Sequence, residues 1–334
     1  MPDPRLFVLA LVVAAVVSLL IVRAAAGLPR DAAARVGRWR WAAWLGLLAG
    51  VAAGWDRLGY GVPWPPATGL DRLLLVVLPA VLVLDLLVGA GVFHGLAGGV
   101  TKVLRRGAMG WLPAVMLGLV SMVVPLVLLW GSVYLARGMD DQTLSGQGAL
   151  LLASGSLLGL GGVSLQRLSR QPAGYTVPIS LMLALLSAGG CILLGGYIKG
   201  GAFAFPLAGV LLGGLLATIA RLSKPVCPQE RTEVYRVLVT LGSVSLYGVL
   251  LVGCAFGRLP GGRALLVGLA PLLGWITEWP RLRFGAARWI PWVKLTVIIV
   301  PLGLALFAAK HDFERTLGPL VGLQSNVPLP GDAP

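Results

Sequence analysis

The chain has 334 residues, of which 57% are hydrophobic and only 12% are charged, and its mean hydropathy is +0.88. These values exclude a sizeable soluble domain and predict a chain made almost wholly of membrane-spanning helices. The net charge of +14 does not point to nucleic acid, because the basic residues stand in small groups between apolar segments, where they would meet anionic lipid headgroups. The three cysteines lack the paired spacing of a metal site, and no disulfide framework, metal or cofactor is expected.

Apolar segments suited to crossing a bilayer recur along the chain and are separated by short polar or basic connections. They predict an all-α, polytopic transmembrane helical bundle of about ten spans, in which abundant glycine allows tight helix packing. A single integral membrane domain would occupy residues 1–310, and a short polar tail would occupy 311–334. The predicted spans are residues 6–22, 41–58, 71–93, 111–136, 149–166, 177–198, 203–220, 237–256, 264–279 and 292–309.

The first span is followed by Arg23 and three alanines, a pattern that also fits a secretory signal peptide with its cleavage site. The charge before this span is weak, whereas five arginines lie between positions 23 and 40. Because positive charge is retained in the cytoplasm, we expect an uncleaved anchor with its N-terminus outside.

The second span contains Gly46, Gly50 and Gly54, which lie four residues apart on one helix face. Small residues at this spacing allow another helix to approach closely, and in lipid such packing replaces the hydrophobic drive. The glycine face predicts a packing seam, either with another helix of the same chain or with a second copy.

The third span carries an acid, Asp85, within the sequence Val-Leu-Asp-Leu-Leu. An ionised carboxylate that faced lipid there would cost several kcal/mol, so Asp85 is expected to face the bundle, to pair, or to take a proton. It is therefore the candidate intramembrane polar site. Two interpretations remain open: a proton or ion relay, and a structural acid that is hydrogen-bonded internally or hydrated near the interface.

The segment from residue 149 to residue 220 is unusually rich in glycine, and it repeats the spacing of small residues every four positions. Tight helix packing is the expected reason, although paired glycines also occur in the broken helices of transporters. The candidate packing residues in this segment are Gly155, Gly159, Gly209 and Gly213.

A few polar residues in or beside the connections could also form binding sites. His94 is expected to be an interfacial residue rather than a ligand, and Asp140 with Asp141 offers too few ligands for a cation cage. Glu278 stands between two tryptophans near the end of its span and is expected to be hydrated and beside Arg281.

The distribution of basic residues predicts the orientation. With ten spans, the connections assigned to the inside hold seventeen basic residues and those assigned to the outside hold nine, with Lys294 near the inner end of the last span. Every inside connection has at least two basic residues. This distribution predicts a multi-pass protein of the cell membrane, by composition a bacterial cytoplasmic membrane, with both termini on the non-cytoplasmic side.

Two functions of different class remain open on the sequence. The first is a permease or channel-like transporter of a small molecule, in which Asp85 and the glycine pairs form a pathway. The second is a non-catalytic membrane scaffold or assembly subunit, in which the glycine faces pack against protein partners or a second copy. No catalytic motif is found, so an enzyme is not expected.

Overall fold

The structure is a computed structural model that describes residues 3–25, 32–61, 64–89, 118, 121–131, 144–171, 173–220, 228–256, 259–278 and 289–316. Its residues are 89% helical, and the described part contains no strand. The predicted all-helical class is therefore confirmed. His94, Asp140, Asp141, Cys227 and Arg281 lie outside the described residues, as does most of the predicted span 111–136.

The described residues form the following helices, in chain order. They are α1 Pro4–Ala25, α2 Ala32–Arg57, α3 Gly69–Arg72, α4 Leu78–Gly89, α5 Leu144–Ser169, α6 Thr176–Leu194, α7 Ile198–Ile219, α8 Pro228–Phe256, α9 Gly261–Leu269 and α10 Ile290–Thr316. A π-helical turn, Leu73–Val77, joins α3 to α4, and a 3-10 helix, Ala270–Glu278, continues α9. Residues 121–129 are also helical.

Within the described residues, the helical segments long and apolar enough to cross a membrane are five: Pro4–Ala24, Thr176–Leu194, Ile198–Ile219, Val234–Phe256 and Ile290–Thr316. Gly261–Ile276 is a shorter apolar helix. A membrane protein is thus supported, but the expected count of about ten spans is not confirmed. Part of the reason is local, because the third predicted span is divided by the π-helical turn and the ninth passes into a 3-10 helix.

Helices α6, α7 and α8 occupy the centre of the described bundle. Between 61% and 83% of their spanning residues are buried, whereas α1 and α10 bury 33%. Helix α7 packs against α1, α2, α6 and α8, while α10 packs against α6 and the 3-10 helix and α5 packs against α8. The outer helices keep apolar side chains exposed, as expected where lipid is the solvent.

The break between α3 and α4 has a local cause. The π-helical turn stands directly before Pro79, which has no N–H to donate to the carbonyl of Leu75. At the other end, Thr68 begins α3 with a capping box, in which its side chain and that of Asp71 bond to each other's backbone N–H. The chain thereby places Asp71 and Asp85 near opposite ends of the same helical segment.

Candidate functional site

The carboxylate of Asp85 is buried and contacts two arginine side chains. Nη2 of Arg40 on α2 lies 2.8 Å from Oδ1, and Nη2 of Arg236 on α8 lies 3.6 Å from the same oxygen. Nε1 of Trp44 donates to Oδ2 at 3.0 Å, and Arg40 also donates to the Asp85 backbone carbonyl at 2.6 Å. One acid on α4 therefore ties α2 and α8 together.

This arrangement favours a structural role for Asp85. Its contacts with two guanidinium groups and with the Trp44 indole join three helices, and the loss of any one of them would leave a buried polar group without a partner. Both arginines belong to the predicted inner ends of their spans, as does Asp85, so the cluster lies toward one end of the bundle rather than at its middle.

A second buried acid lies near the opposite end of the α3–α4 segment. Asp71 is 1% exposed, accepts a hydrogen bond from the Thr68 hydroxyl at 2.7 Å, and lies 3.4 Å from Nζ of Lys199 at the start of α7. The Lys199 ammonium also lies 6.0 Å from the centre of the Trp55 ring, within range of a cation–π contact. These contacts join the C-terminal end of α2 to the starts of α3 and α7.

The position of Glu278 beside Arg281 stays a prediction, because Arg281 lies outside the described residues, but Glu278 is less hydrated than expected. Its carboxylate is largely buried and accepts a hydrogen bond from Nζ of Lys294 at 2.5 Å, and Lys294 itself is 1% exposed. The pair links the end of the 3-10 helix to the start of α10. A lysine and a glutamate sixteen positions apart meet because the two elements run antiparallel, which a reading of local sequence does not capture.

The candidate packing glycines of α2 and α7 lie where these helices closely approach the backbone of α1. A Cβ on Gly50 would lie 2.7 Å from the carbonyl oxygen of Ala14, and one on Gly54 would lie 2.8 Å from that of Ala10. A Cβ on Gly46 would lie 3.2 Å from the carbonyl oxygen of Ser18. Gly209 and Gly213 of α7 approach the carbonyls of Leu11 and Ala15 still more closely.

The remaining two candidate glycines belong to α5. A Cβ on Gly155 would lie 2.9 Å from the carbonyl oxygen of Ser121, whereas one on Gly159 would meet the Ser121 side chain at an ordinary 3.5 Å. All seven candidate glycines thus face neighbouring helices of the same chain. Asp85 is not brought together with any of them into one site.

A cavity of about 570 Å³ with room for a ligand lies between α5, α8, α9 and the 3-10 helix. Its walls are mostly leucine and glycine, and none of the described residues that line it is charged. It is partly open at the bundle surface, where the lining residue Leu265 is 51% exposed. Pockets of 300–1,000 Å³ with mainly apolar walls are typical of small-molecule sites.

Two hydroxyl groups of α8 interrupt this apolar lining. Ser243 is 7% exposed, and its Oγ makes no hydrogen bond in the described structure. Oη of Tyr247 is also buried; it lies near the Ser154 hydroxyl across the cavity, without the geometry of a hydrogen bond. The Ser154 hydroxyl itself donates to the Leu151 carbonyl at 2.9 Å. Buried polar atoms normally have partners, so these two orphaned hydroxyls on the wall of one cavity are the groups available to bond a polar atom of a ligand once their side chains turn toward it.

The polar side chains of this cavity are not among the site residues that the sequence predicts. A signal was present, because Ser243 and Tyr247 are four residues apart and Cys254 follows seven positions later, which puts all three on one face of a helix. Arg40 and Arg236 were also missed as partners of Asp85, because they were assigned to connections and long side chains can reach back into a bundle. Comparison of the chain with protein-family models, with curated proteins and with solved structures finds no match.

Proposed function

We propose that this membrane protein is a permease that takes a small lipid-soluble molecule from the bilayer into the cavity between α5, α8 and α9. The observation that carries the proposal is the pair of orphaned hydroxyls, Ser243 and Tyr247, inside an otherwise apolar cavity. Its opening beside Leu265 offers access from the side of the bundle.

The position of the hydroxyls gives them a use in permeation. Ser243 and Tyr247 stand near the middle of α8, which runs from Pro228 to Phe256. A neutral polar group that crosses the hydrocarbon without a hydrogen bond costs roughly 2–7 kcal/mol. Hydroxyls that offer hydrogen bonds halfway across the membrane would lower this barrier for a molecule that is otherwise apolar.

The charged side chains support this kind of substrate. Among the described residues, the ion pairs of Asp85, Asp71 and Glu278 lie near helix ends, and none of these groups lines the cavity. A pathway for an ion or a charged solute would need polar groups along its length. The cavity instead suits an uncharged molecule.

The contacts between helix ends also agree with the proposed orientation. Arg40, Asp85 and Arg236, which the charge distribution assigns to inner ends, form one cluster. Asp71 and Lys199, assigned to outer ends, form another. In a variant without Cys191, Cys227 and Cys254, an impermeant maleimide added to intact cells should label a cysteine at position 57 and not one at position 170; the reverse would contradict this orientation.

Permeation is tested with the purified protein in phosphatidylcholine vesicles. The probe is a monoacylglycerol with a fluorescent NBD group, and dithionite added outside bleaches only molecules that reach the outer leaflet. We expect the protected fraction to disappear faster with the protein than in protein-free vesicles. Equal rates would refute the proposal.

A matched pair of variants ties the rate to the cavity. Gly161 lines the cavity and Gly303 lies on α10, and both are helical glycines with open space around them. Gly161→Leu should return the rate to that of protein-free vesicles, whereas Gly303→Leu should leave it unchanged. Equal rates in the two variants would show that the cavity is not the route.

The scaffold hypothesis predicts a different result. A scaffold or assembly subunit should purify from its native membrane with stoichiometric protein partners and should leave the bleaching rate at the protein-free value. A purified chain without partners that accelerates bleaching would favour the permease.

A further inference from the structure

We infer that Ser243 and Tyr247 form a binding site for the neutral oxygen of an uncharged, single-chain lipid-soluble molecule, such as an ester or a ketone. The inference deepens the proposed permease function and rests on it. It assigns a substrate class and names the two side chains that select it.

The apolar walls alone cannot select a ligand. In a bilayer a hydrocarbon chain is already surrounded by groups as apolar as leucine, so its transfer into a leucine-lined cavity gains little free energy. Selectivity must come from shape and from hydrogen bonds. The orphaned hydroxyls of Ser243 and Tyr247 are the groups that can supply such bonds to a ligand.

The chemistry of the two hydroxyls defines the ligand's polar group. Serine and tyrosine both donate an O–H, so together they suit an acceptor oxygen, such as that of a carbonyl. Among the residues that the structure describes, no charged side chain lines the cavity to balance a carboxylate, an ammonium or a phosphate. A charged group buried there would be strongly disfavoured, which excludes ionised headgroups from the cavity.

The dimensions of the cavity define the apolar part. The lining extends along α8 from Ser243 to Cys254, which is about 16 Å at about 1.5 Å per residue. With a volume of about 570 Å³, the cavity accommodates one extended alkyl chain rather than the two chains of a phospholipid. Ser243 stands at one end of this length and Tyr247 one turn along it.

The test compares two probes that differ in the oxygen. Hexadecyl acetate carries a carbonyl, and nonadecane is an alkane with the same number of atoms in its chain. Each is titrated into phosphatidylcholine nanodiscs that contain the full chain, and bound probe per protein is counted by mass spectrometry against empty nanodiscs. We expect the ester to bind about 3- to 20-fold more tightly than the alkane, which is the range of hydrogen-bond contributions measured within membranes.

Two variants locate the preference. Tyr247→Phe and Ser243→Ala should each reduce the affinity for hexadecyl acetate and leave nonadecane unchanged. Ser245→Ala is the control, because Ser245 is buried with an orphaned hydroxyl on the same helix but does not line the cavity. It should preserve the preference for the ester. Thermal unfolding of each variant checks that the bundle is intact.

The outcomes separate this inference from the proposed function. Equal affinity for the ester and the alkane, or a preference that survives in both Tyr247→Phe and Ser243→Ala, would overturn the oxygen site. The permease proposal would still stand if Gly161→Leu slowed the bleaching of the NBD probe. An absence of acceleration by the protein itself would overturn the proposed function and the inference together.

Discussion

Glycine is abundant on two sides of this bundle, and its effect on helix packing differs between them. Where α1, α2 and α7 meet, a Cβ on Gly50 or Gly54 would collide with a backbone carbonyl of α1. Around the cavity, a Cβ on Gly161 would find its nearest neighbour 4.0 Å away, and one on Gly261 would find nothing within 4 Å. One set of glycines lets backbones touch, and the other leaves space unfilled.

Glycine spacing by itself therefore does not distinguish a close contact between helices from a cavity. Close backbone approach is how helices associate in lipid, so the α1–α2–α7 side is expected to be the rigid part of the molecule. On the side formed by α5, α8 and α9, Gly161 and Gly261 leave space unfilled at the cavity, so this is the part that can accept a ligand.

The largest effect is expected at Gly213. A leucine there would drive its side chain into the carbonyl of Ala15 and the Cβ of Ser18 on α1, and a backbone carbonyl cannot move aside as a flexible side chain can. We expect Gly213→Leu to lose the folded protein in a detergent gel-filtration assay. Gly161→Leu, on the cavity side, should elute as the wild type does. Equal recovery of the two variants would abolish the contrast.

Asp85 joins the two sides, because its partners Arg40 and Arg236 belong to α2 and α8. Asp85→Asn removes the shared charge from between two guanidinium groups, and we expect a loss of about 3 to 5 kcal/mol in stability. Thermal unfolding in detergent measures it. The exposed Asp56 supplies the control, since Asp56→Asn should unfold as the wild type does. A proton relay would instead leave Asp85→Asn folded and inactive.

Two ion pairs involving α10 give a smaller, graded comparison. Lys294 is buried with Glu278, whereas the side chains of Lys310 and Glu314 are 68% and 60% exposed at 3.6 Å. Lys294→Met should cost about 3 kcal/mol, because it removes the cation beside a largely buried carboxylate. Lys310→Met should cost only about 0.2 to 0.5 kcal/mol. Chemical denaturation of both variants measures the loss in free energy of unfolding, and equal losses would contradict the burial of Lys294.

The smallest effects are expected from single methyl groups. Gly54→Ala places its Cβ 2.8 Å from the Ala10 carbonyl and should cost about 1 to 3 kcal/mol. Gly303→Ala meets open space and should change stability by no more than about 0.5 kcal/mol in either direction. Melting temperatures of the pair, measured in one detergent, would show whether the α1–α2–α7 side is as tightly packed as its distances indicate.

Some features of the site were predictable from residue type and position. The cost of a carboxylate in lipid required Asp85 to find a partner, but the sequence offered many arginines and no means of choosing Arg40 and Arg236 among them. The choice depends on which helix ends meet, a matter of three-dimensional packing. Val51 illustrates the same limit, because the glycine spacing predicts a contact for its neighbour Gly50 and says nothing of Val51, which is fully buried.

The amino-acid sequence by itself determined the solvent and the class of structure. A chain with so many apolar residues and so few charges is stable only in lipid. Lipid offers no hydrogen bonds, so each spanning segment must satisfy its own backbone groups, and apolar segments of this length do so as helices. Tertiary structure alone decided which polar groups meet and where the bundle remains unfilled. Ion pairs and cavities depend on the relative positions of helices distant in the chain, and no local pattern of residues records those distances.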